Sequence, residues 1–360
     1  MRNRLLNRYV GQTVLAATAI VLVAFAGLDV LFRIIEEATK MEKDYTFMRV
    51  VIYEFLKTPA RLYEFMPMVG LIGCLTGLGA MANSSELVVM RSAGVSTFRL
   101  LWIALRPALL FLLAAMMIGE YMAPRTEQIA HSYRAQARGH DTTFHSARGV
   151  WIRDGRDFVL INVVQPTGVM YGVNLFRFDD KKRLYSIVQA ERATFSRDYW
   201  LLENVDRTHF DIYQSEPQRI SKASLEFWRW HSSLQPDLLS IAAADAEDLP
   251  MRELWPYIRY LREQELNSNE YELAFWEKIF YPLVMISLVI AGISFVFGPL
   301  RQVSMGYRVF WGILIGILFK TLQDTLGPVS IVFGFSAMYA MLIPVLLCIL
   351  LGAILLSRVR

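Results

Sequence analysis

Residues 279–300 read IFYPLVMISLVIAGISFVFGPL, 22 consecutive positions without a charged side chain. A helix needs roughly 20 mostly apolar residues to cross the hydrocarbon core of a bilayer, so this stretch reads as a membrane span. C-terminal to it, Val309–Gln323 is a shorter apolar run that contains Lys320. Thr325–Ser357 then runs 33 residues without a charge. That is long enough for one span plus a re-entrant or interfacial lead-in. On the N-terminal side, three more runs qualify: Leu100–Gly119 with Arg106 near its start, Phe65–Ala82 with no charge, and Val10–Phe32 with Asp29 as its only charge. Gly70, Gly73, Gly77 and Gly79 in the second of these predict close helix packing. No span fits between Glu120 and Lys278. The order is therefore three spans, an inserted domain, and three spans.

Composition agrees. Of 360 residues, 54% are hydrophobic and 19% charged, against about 25% charged in soluble domains, and the mean hydropathy is +0.34. The N-terminal apolar run is too long for a signal peptide and lacks a small-residue cleavage pattern, so it reads as a retained first helix. Cys74 and Cys348 both lie in apolar runs, which excludes a disulfide framework and argues against zinc.

The charge distribution sets an expected orientation. With the N-terminus in the cytoplasm, the segments 1–9, 83–99, 298–308 and 358–360 carry nine Lys/Arg and one acid, Glu86. The opposite-side segments 33–64 and 120–278 carry 6 and 20 basic residues against 6 and 24 acidic ones. The sequence pI of 9.0 is thus a topology signal and not a nucleic-acid signal, and the inserted domain is expected outside the cytoplasm. That domain reads as β-rich. Gly149–Arg153, Phe158–Val164, Val169–Phe178, Tyr185–Phe195, Trp200–Val205 and Ser221–Trp230 are strand-like runs separated by turn signals such as Asp154-Gly155, Pro166-Thr167-Gly168 and Asp179-Asp180. A sandwich, jelly roll or open barrel is expected, with Tyr185, Phe195, Trp200, Phe227, Trp228 and Trp230 mostly in its core. Amphipathic helices are expected at Ala123–Ala137, extending the third span, and at Met251–Gln264, leading into the fourth.

Several chemistries find no support. There is no Gly-Lys dipeptide and so no phosphate-binding P-loop. G-x-S-x-G, H-E-x-x-H and C-x-x-C are absent, and the five histidines lack metal-ligand spacing. Energy for any work must come from a partner or an ion gradient.

Two constellations carry functional expectations. The first is Asn83–Thr97, NSSELVVMRSAGVST. Asn83, Ser84 or Ser85 suits an N-cap, Leu87, Val88, Met90 and Ala93 form an apolar face, and Gly94 stops the helix. A short cytoplasmic helix between spans either docks a permease into an ATPase or lies on the membrane surface. The second is a set of charges at the outer ends of the spans. Asp29 and Arg33 are four apart on helix one, and Lys320 and Asp324 four apart on helix five. Lys40, His131 and Arg134 lie just beyond. Charges within spans commonly face a cavity or a partner, against the alternatives of snorkelling and intrahelical pairing. Arg106 reads as a snorkelling residue.

The segments SSELVVMRSAGVS, IGEYMAPRTEQIAHSYRAQA, GVWIRDG and FGPLRQVSMGYRV resemble the LptF/LptG permease family, lipopolysaccharide exporters of Gram-negative inner membranes. The likeness extends from Arg8-Tyr9-Val10-Gly11 to the last helix. The motif FGPLR at Phe297–Arg301 and the chain length favour the LptG branch. The resemblance implies six transmembrane helices with an inserted periplasmic β-jelly-roll domain, organised as 1–137, 138–245 and 246–360. It implies an LptF-like heterodimer partner, an LptB-like ATPase dimer, an LptC-like single-span protein and an LptA-like periplasmic bridge. By the same resemblance Glu86, Leu87, Met90, Arg91 and Gly94 belong to the ATPase-coupling helix. Arg33, Lys40, Phe65, His131, Arg134, Ile317 and Lys320 are lipopolysaccharide-binding positions. The chain would be a transport subunit and not an enzyme, would bind no cofactor itself, and would rely on a partner for ATP and magnesium. His131 stands where an arginine is expected and Lys320 where an aromatic is expected. Read without the resemblance, an ion-coupled secondary transporter using Asp29 and Asp324 and a membrane-anchored periplasmic scaffold remain as alternatives.

Overall fold

The computed structural model describes residues 2–41, 45–137, 144–164, 168–210, 220–232, 234–297 and 303–357. The chain forms two compact units. One comprises residues 1–41, 46–130 and 269–360, the other 42–45 and 131–268.

Among the described residues, the first unit holds six helices long and apolar enough to cross a membrane, as expected. They are α1 (Arg2–Ala38), α2 (Phe47–Asn83), α4 (Thr97–Met117), α8 (Asn269–Phe297), α9 (Met305–Phe333) and α10 (Ala337–Ser357). The short α3 (Glu86–Ser92) lies between α2 and α4. Five residues in π-helical conformation, Ile118–Met122, join α4 to α5 (Ala123–Ala137). The helix of α2 buries most of its C-terminal half. Leu71, Cys74, Leu75 and Leu78 pack with Val284, Leu288 and Val289 of α8, Leu100 and Ala104 of α4, and Val10 and Val14 of α1. The glycine stripe does what its spacing predicts. A Cβ at Gly73 would sit 2.6 Å from the Thr18 Cα, and one at Gly77 2.9 Å from the Val14 Cα, so α1 lies backbone to backbone against α2.

The helices run on past the apolar runs: within residues 33–64, α1 continues to Ala38 and α2 begins at Phe47. At 1.5 Å per residue α2 is about 55 Å long, well beyond a core of about 30 Å; its charged half is helix beyond the hydrocarbon. One expectation about the spans is corrected: the uncharged stretch 325–357 contains no re-entrant lead-in. The helix of α9 runs on through Phe333, and Gly334 turns the chain with φ +71° before α10.

The second unit is built on one six-stranded antiparallel sheet: β1 (Phe144–Asp154), β2 (Asp157–Val164), β3 (Met170–Phe178), β4 (Leu184–Ser196), β5 (Tyr199–Phe210) and β6 (Ile220–Trp230). Spatial order equals chain order, so the jelly-roll expectation resolves to an antiparallel meander. The turn signals work locally. Asp154 pairs with Asp157 across Gly155-Arg156, with Gly155 at φ +61°. The Asp179 carboxylate accepts the backbone N–H groups of Lys181 and Arg183 and pairs with the Arg183 guanidinium. Val159, Ile161, Val173, Leu175, Val188, Leu202 and Val205 form the core with Trp200 and Trp230, and the Trp200 indole donates to the Leu234 carbonyl at 2.9 Å. Phe195 and Trp228 are partly buried against it. Phe227 is a correction: it is 56% exposed, because alternation along β6 turns Trp228 and Trp230, paired with Leu202 and Trp200, to the core face and Phe227, paired with Glu203, to the other. Two further helices complete the unit, α6 (Pro236–Ala243) and α7 (Met251–Glu263). The amphipathic α7 buries Leu254, Tyr257, Ile258 and Leu261. It is tied to β1 by the Tyr260 hydroxyl donating to the Arg153 carbonyl and the Arg153 guanidinium donating to the Gln264 carbonyl, each at 2.8 Å.

Candidate functional site

The docking candidate begins where α2 ends. The chain leaves α2 through Ser84 and Ser85, the latter at φ +62°. Neither Asn83 nor Ser85 caps α3 with its side chain, contrary to expectation. The Ser84 hydroxyl instead lies within hydrogen-bond reach of the Ala80 and Met81 carbonyls and of the Glu86 carboxylate, the last at 3.0 Å. The one acid expected on this face is thus half-buried and already held. Leu87 is buried in the cluster that also holds Leu78, Met81 and Val10, and Met90 packs against it. Val88, expected on the inner face, points outward with Val89, which is 64% exposed. Inward residues at i and i+3 are what about two turns of helix can offer. Gly94, at φ +87°, and the Val95 N–H bonding the Met90 carbonyl at 3.1 Å close the helix in a left-handed cap. Arg91, in the last turn, is part-exposed beside it.

The opposite ends of the spans carry the second candidate. Asp29 lies 20 residues after Tyr9, about 30 Å along α1, and Glu64 lies 19 residues before Asn83, about 28 Å along α2. Both therefore sit at the far boundary of a core about 30 Å thick. Arg33 pairs with Asp29 and Glu36, each at 3.6 Å, and Lys40 with Glu36 at 3.5 Å and Glu37 at 3.3 Å. Glu36 bridges the two cations, so Arg33 and Lys40 do share one face. They are 46% and 45% exposed. Lys320 extends to Asp324 at 3.0 Å, as its spacing predicts, and to Glu64 of α2 at 3.2 Å. Phe65 is part-buried with its ring 6.4 Å from Phe25 of α1. Ile317, one turn before Lys320, is exposed. Arg33, Lys40, Phe65, Ile317 and Lys320 belong to the first unit. His131 and Arg134 lie on α5 in the second. Arg134 is half-buried there, and the His131 side chain lies outside the described residues. So do residues 298–302, most of the FGPLR motif.

Beneath this layer is a charge network that the spacing of residues along one helix does not reveal. Arg61 of α2 lies 2.7 Å from Glu54 and 3.3 Å from Asp29, and Glu54 is only 2% exposed. Asp29 is therefore shared between Arg33 on its own helix and Arg61 on the next. Lys57 pairs with the buried Glu127 of α5 at 2.7 Å. Gly119 in the π-helical segment meets Tyr63, where a Cβ would lie 2.5 Å from the ring. Tyr63 stacks on Tyr281 at 4.2 Å, and the Tyr281 hydroxyl donates to the Tyr63 carbonyl at 2.6 Å. The wider π turn gives the ring its place. Both cysteines are free and buried, and the described residues contain no cluster of His, Cys, Asp or Glu able to hold a metal ion.

Six spans, an inserted antiparallel domain, a short helix at one membrane face and paired charges at the other define a polytopic transport permease. The chain belongs to the LptF/LptG family: the sequence pattern of the lipopolysaccharide export system permease LptF/LptG matches residues 8–358. It is 32% identical over 342 residues to the lipopolysaccharide export system permease protein LptG of Escherichia coli K12, covering 94% of each chain. It is 34% identical over 358 residues to the LptG protein of Haemophilus influenzae Rd, covering 99% of each.

Proposed function

We propose that this chain is the LptG-type transmembrane subunit of an ABC exporter, which takes lipopolysaccharide from the outer leaflet of the inner membrane and delivers it to a periplasmic bridge. Family membership over nearly the whole chain carries this reading. The geometry adds two supports. The α3 segment presents Val88 and Val89 outward beside Glu86, the composition of a small docking surface. Arg33, Lys40 and Lys320 sit at the outer boundary, half-exposed, where phosphates of an anionic glycolipid lie; a cation binds phosphate through charge-assisted hydrogen bonds. An LptF-like chain would complete the cavity, and an LptB-like dimer would bind ATP and magnesium. LptC-like and LptA-like proteins would receive the lipid. The N- and C-termini would face the cytoplasm and the meander domain the periplasm, with working regions at 1–137, 138–245 and 246–360. The ion-coupled alternative has less support, because Asp29 and Asp324 are both engaged by cations.

Mass spectrometry of the complex purified in mild detergent tests this. The expected result is an ATPase, a second permease chain and lipopolysaccharide in constant ratio. Copurification of neither ATPase nor lipopolysaccharide would contradict it.

A further inference from the structure

Arg308 lies in the first turn of α9, where the dipole of its own helix disfavours a cation. Its side chain is nonetheless wholly buried, with 0% exposure. The reason lies on α2. The guanidinium donates to the Gly79 carbonyl at 2.6 Å and to the Asn83 Oδ1 at 3.0 Å. These acceptors belong to the last turns of α2, the negative end of that helix, and a single terminal nitrogen of Arg308, Nη1, reaches both. Gly79 is required for this approach, because a Cβ there would lie 2.8 Å from the Arg308 Cδ.

Arg308 also starts a register that runs the length of the contact. Every fourth residue of α9 after it, Gly312, Gly316 and Lys320, meets α2. A Cβ at Gly312 would lie 2.6 Å from Leu75 Cδ1, and one at Gly316 2.9 Å from Met68 Cε. Lys320 reaches Glu64. The two helices are thus pinned by polar contacts at both ends and closely packed between them. At the α3 end the path is short. Asn83 holds Arg308, and the next residue, Ser84, holds Glu86.

We propose that Arg308 is a positioning residue that ties the α3 docking segment to α9, so that α2 and α9 move as one body between the docking face and the Glu64–Lys320 pair. This rests on the reading of α3 as the ATPase contact and adds the route by which its movement reaches the substrate end.

The test measures, in the purified complex reconstituted in lipid vesicles, lipopolysaccharide released per ATP hydrolysed, for Arg308→Ala, Arg308→Lys and Asn83→Ala. Loss of two buried hydrogen bonds from the junction should lower this ratio roughly ten-fold in Arg308→Ala while hydrolysis changes less than about two-fold. Arg308→Lys, which keeps the charge on a shorter side chain, should recover part of the ratio, and Asn83→Ala should lose less than Arg308→Ala. A wild-type ratio in Arg308→Ala overturns the proposal. So does a parallel fall of release and hydrolysis, which marks a merely structural role. A second readout stands apart from transport. In the full-length chain alone, amide hydrogen exchange over Ser84–Gly94 should quicken roughly ten-fold in both Arg308→Ala and Asn83→Ala; unchanged protection in either overturns the link. Absence of ATP-dependent release from the wild-type complex, with that exchange effect present, would instead refute the functional reading of the previous subsection and leave the junction standing.

Discussion

Replacing Arg33 and Lys40 together by Gln should strip this end of α1 of two cations bridged by Glu36 without disturbing the packing beneath. Arg33 can be removed safely because Asp29 keeps Arg61 at 3.3 Å. Both side chains are close to half-exposed, at 46% and 45%, so their present pairs with Glu36, Glu37 and Asp29 are worth at most about 1 kcal/mol each. A phosphate can therefore compete for them. A charge-assisted contact contributes roughly 1.5–3 kcal/mol when desolvated; halved for exposure, that is about 0.8–1.5 kcal/mol each. The pair then contributes about 2 kcal/mol, a loss of roughly 30-fold in retained lipopolysaccharide for the double variant and about five-fold for either single one. The assay is lipopolysaccharide per mole of complex after purification, backed by photo-crosslinkers placed at 33 and 40. Unchanged retention in the double variant, or crosslinkers at 33 and 40 that never capture lipopolysaccharide while those on the opposite face of α1 do, would refute the reasoning and leave Arg33 an interfacial anchor.

Three further outcomes follow from the geometry. Arg61→Met strands the buried Glu54 carboxylate, which costs about 3–5 kcal/mol; over a unit of roughly 220 residues that lowers the apparent melting temperature by about 7–11 °C, and adding Glu54→Gln should recover most of it, whereas equal melting of the single and double variants would show that the pair is not the cause. Glu86→Ala removes the carboxylate that the Ser84 hydroxyl meets at 3.0 Å, so ATPase association or lipid release should fall with membrane insertion unchanged; wild-type association and release would remove Glu86 from coupling. The backbone N–H of Arg183 is the main cause that holds the Asp179 carboxyl below its ordinary 3.8, with the Arg183 guanidinium and Lys181 N–H helping against a smaller burial effect. A depressed folded value means that this stabilisation is complete above the unfolded value and is lost as pH falls through the folded one, so the exchange protection of the β3–β4 turn should differ between wild type and Asp179→Asn at neutral pH and converge below 3.8; a constant difference down to the acid limit would exclude the carboxylate as the source.

Much of this architecture is legible in a single sequence because a bilayer demands it. Uncharged runs mark the spans, and alternating Val, Ile and aromatic runs between Asp-Gly and similar turns mark the strands. What escapes is pairing between distant segments. Lys320 shows its i+4 partner Asp324 on inspection but not Glu64, which lies on another helix. Arg61 and Glu54 look like loop charges, since nothing in their own segment says that α1 lies beside them. Arg308 looks like a cytoplasmic-face residue by the same logic, whereas the carbonyl end of α2 draws it inside. The inward face of α3 could be assigned only in part, because seven residues are too few to distinguish one stripe from another. Phe227 reads as core by its chemistry, and only the strand register shows that it lies on the face opposite Trp228 and Trp230.

The most direct measurement is ATP-dependent transfer of lipopolysaccharide from vesicles containing this chain with its copurifying partners to acceptor particles carrying the periplasmic bridge protein. Transfer that requires ATP and magnesium, persists when the proton gradient is collapsed, and falls on replacing Glu86 or the Arg33–Lys40 pair is the predicted result. Transfer that continues without ATP, or that stops when the gradient alone is removed, would contradict the account.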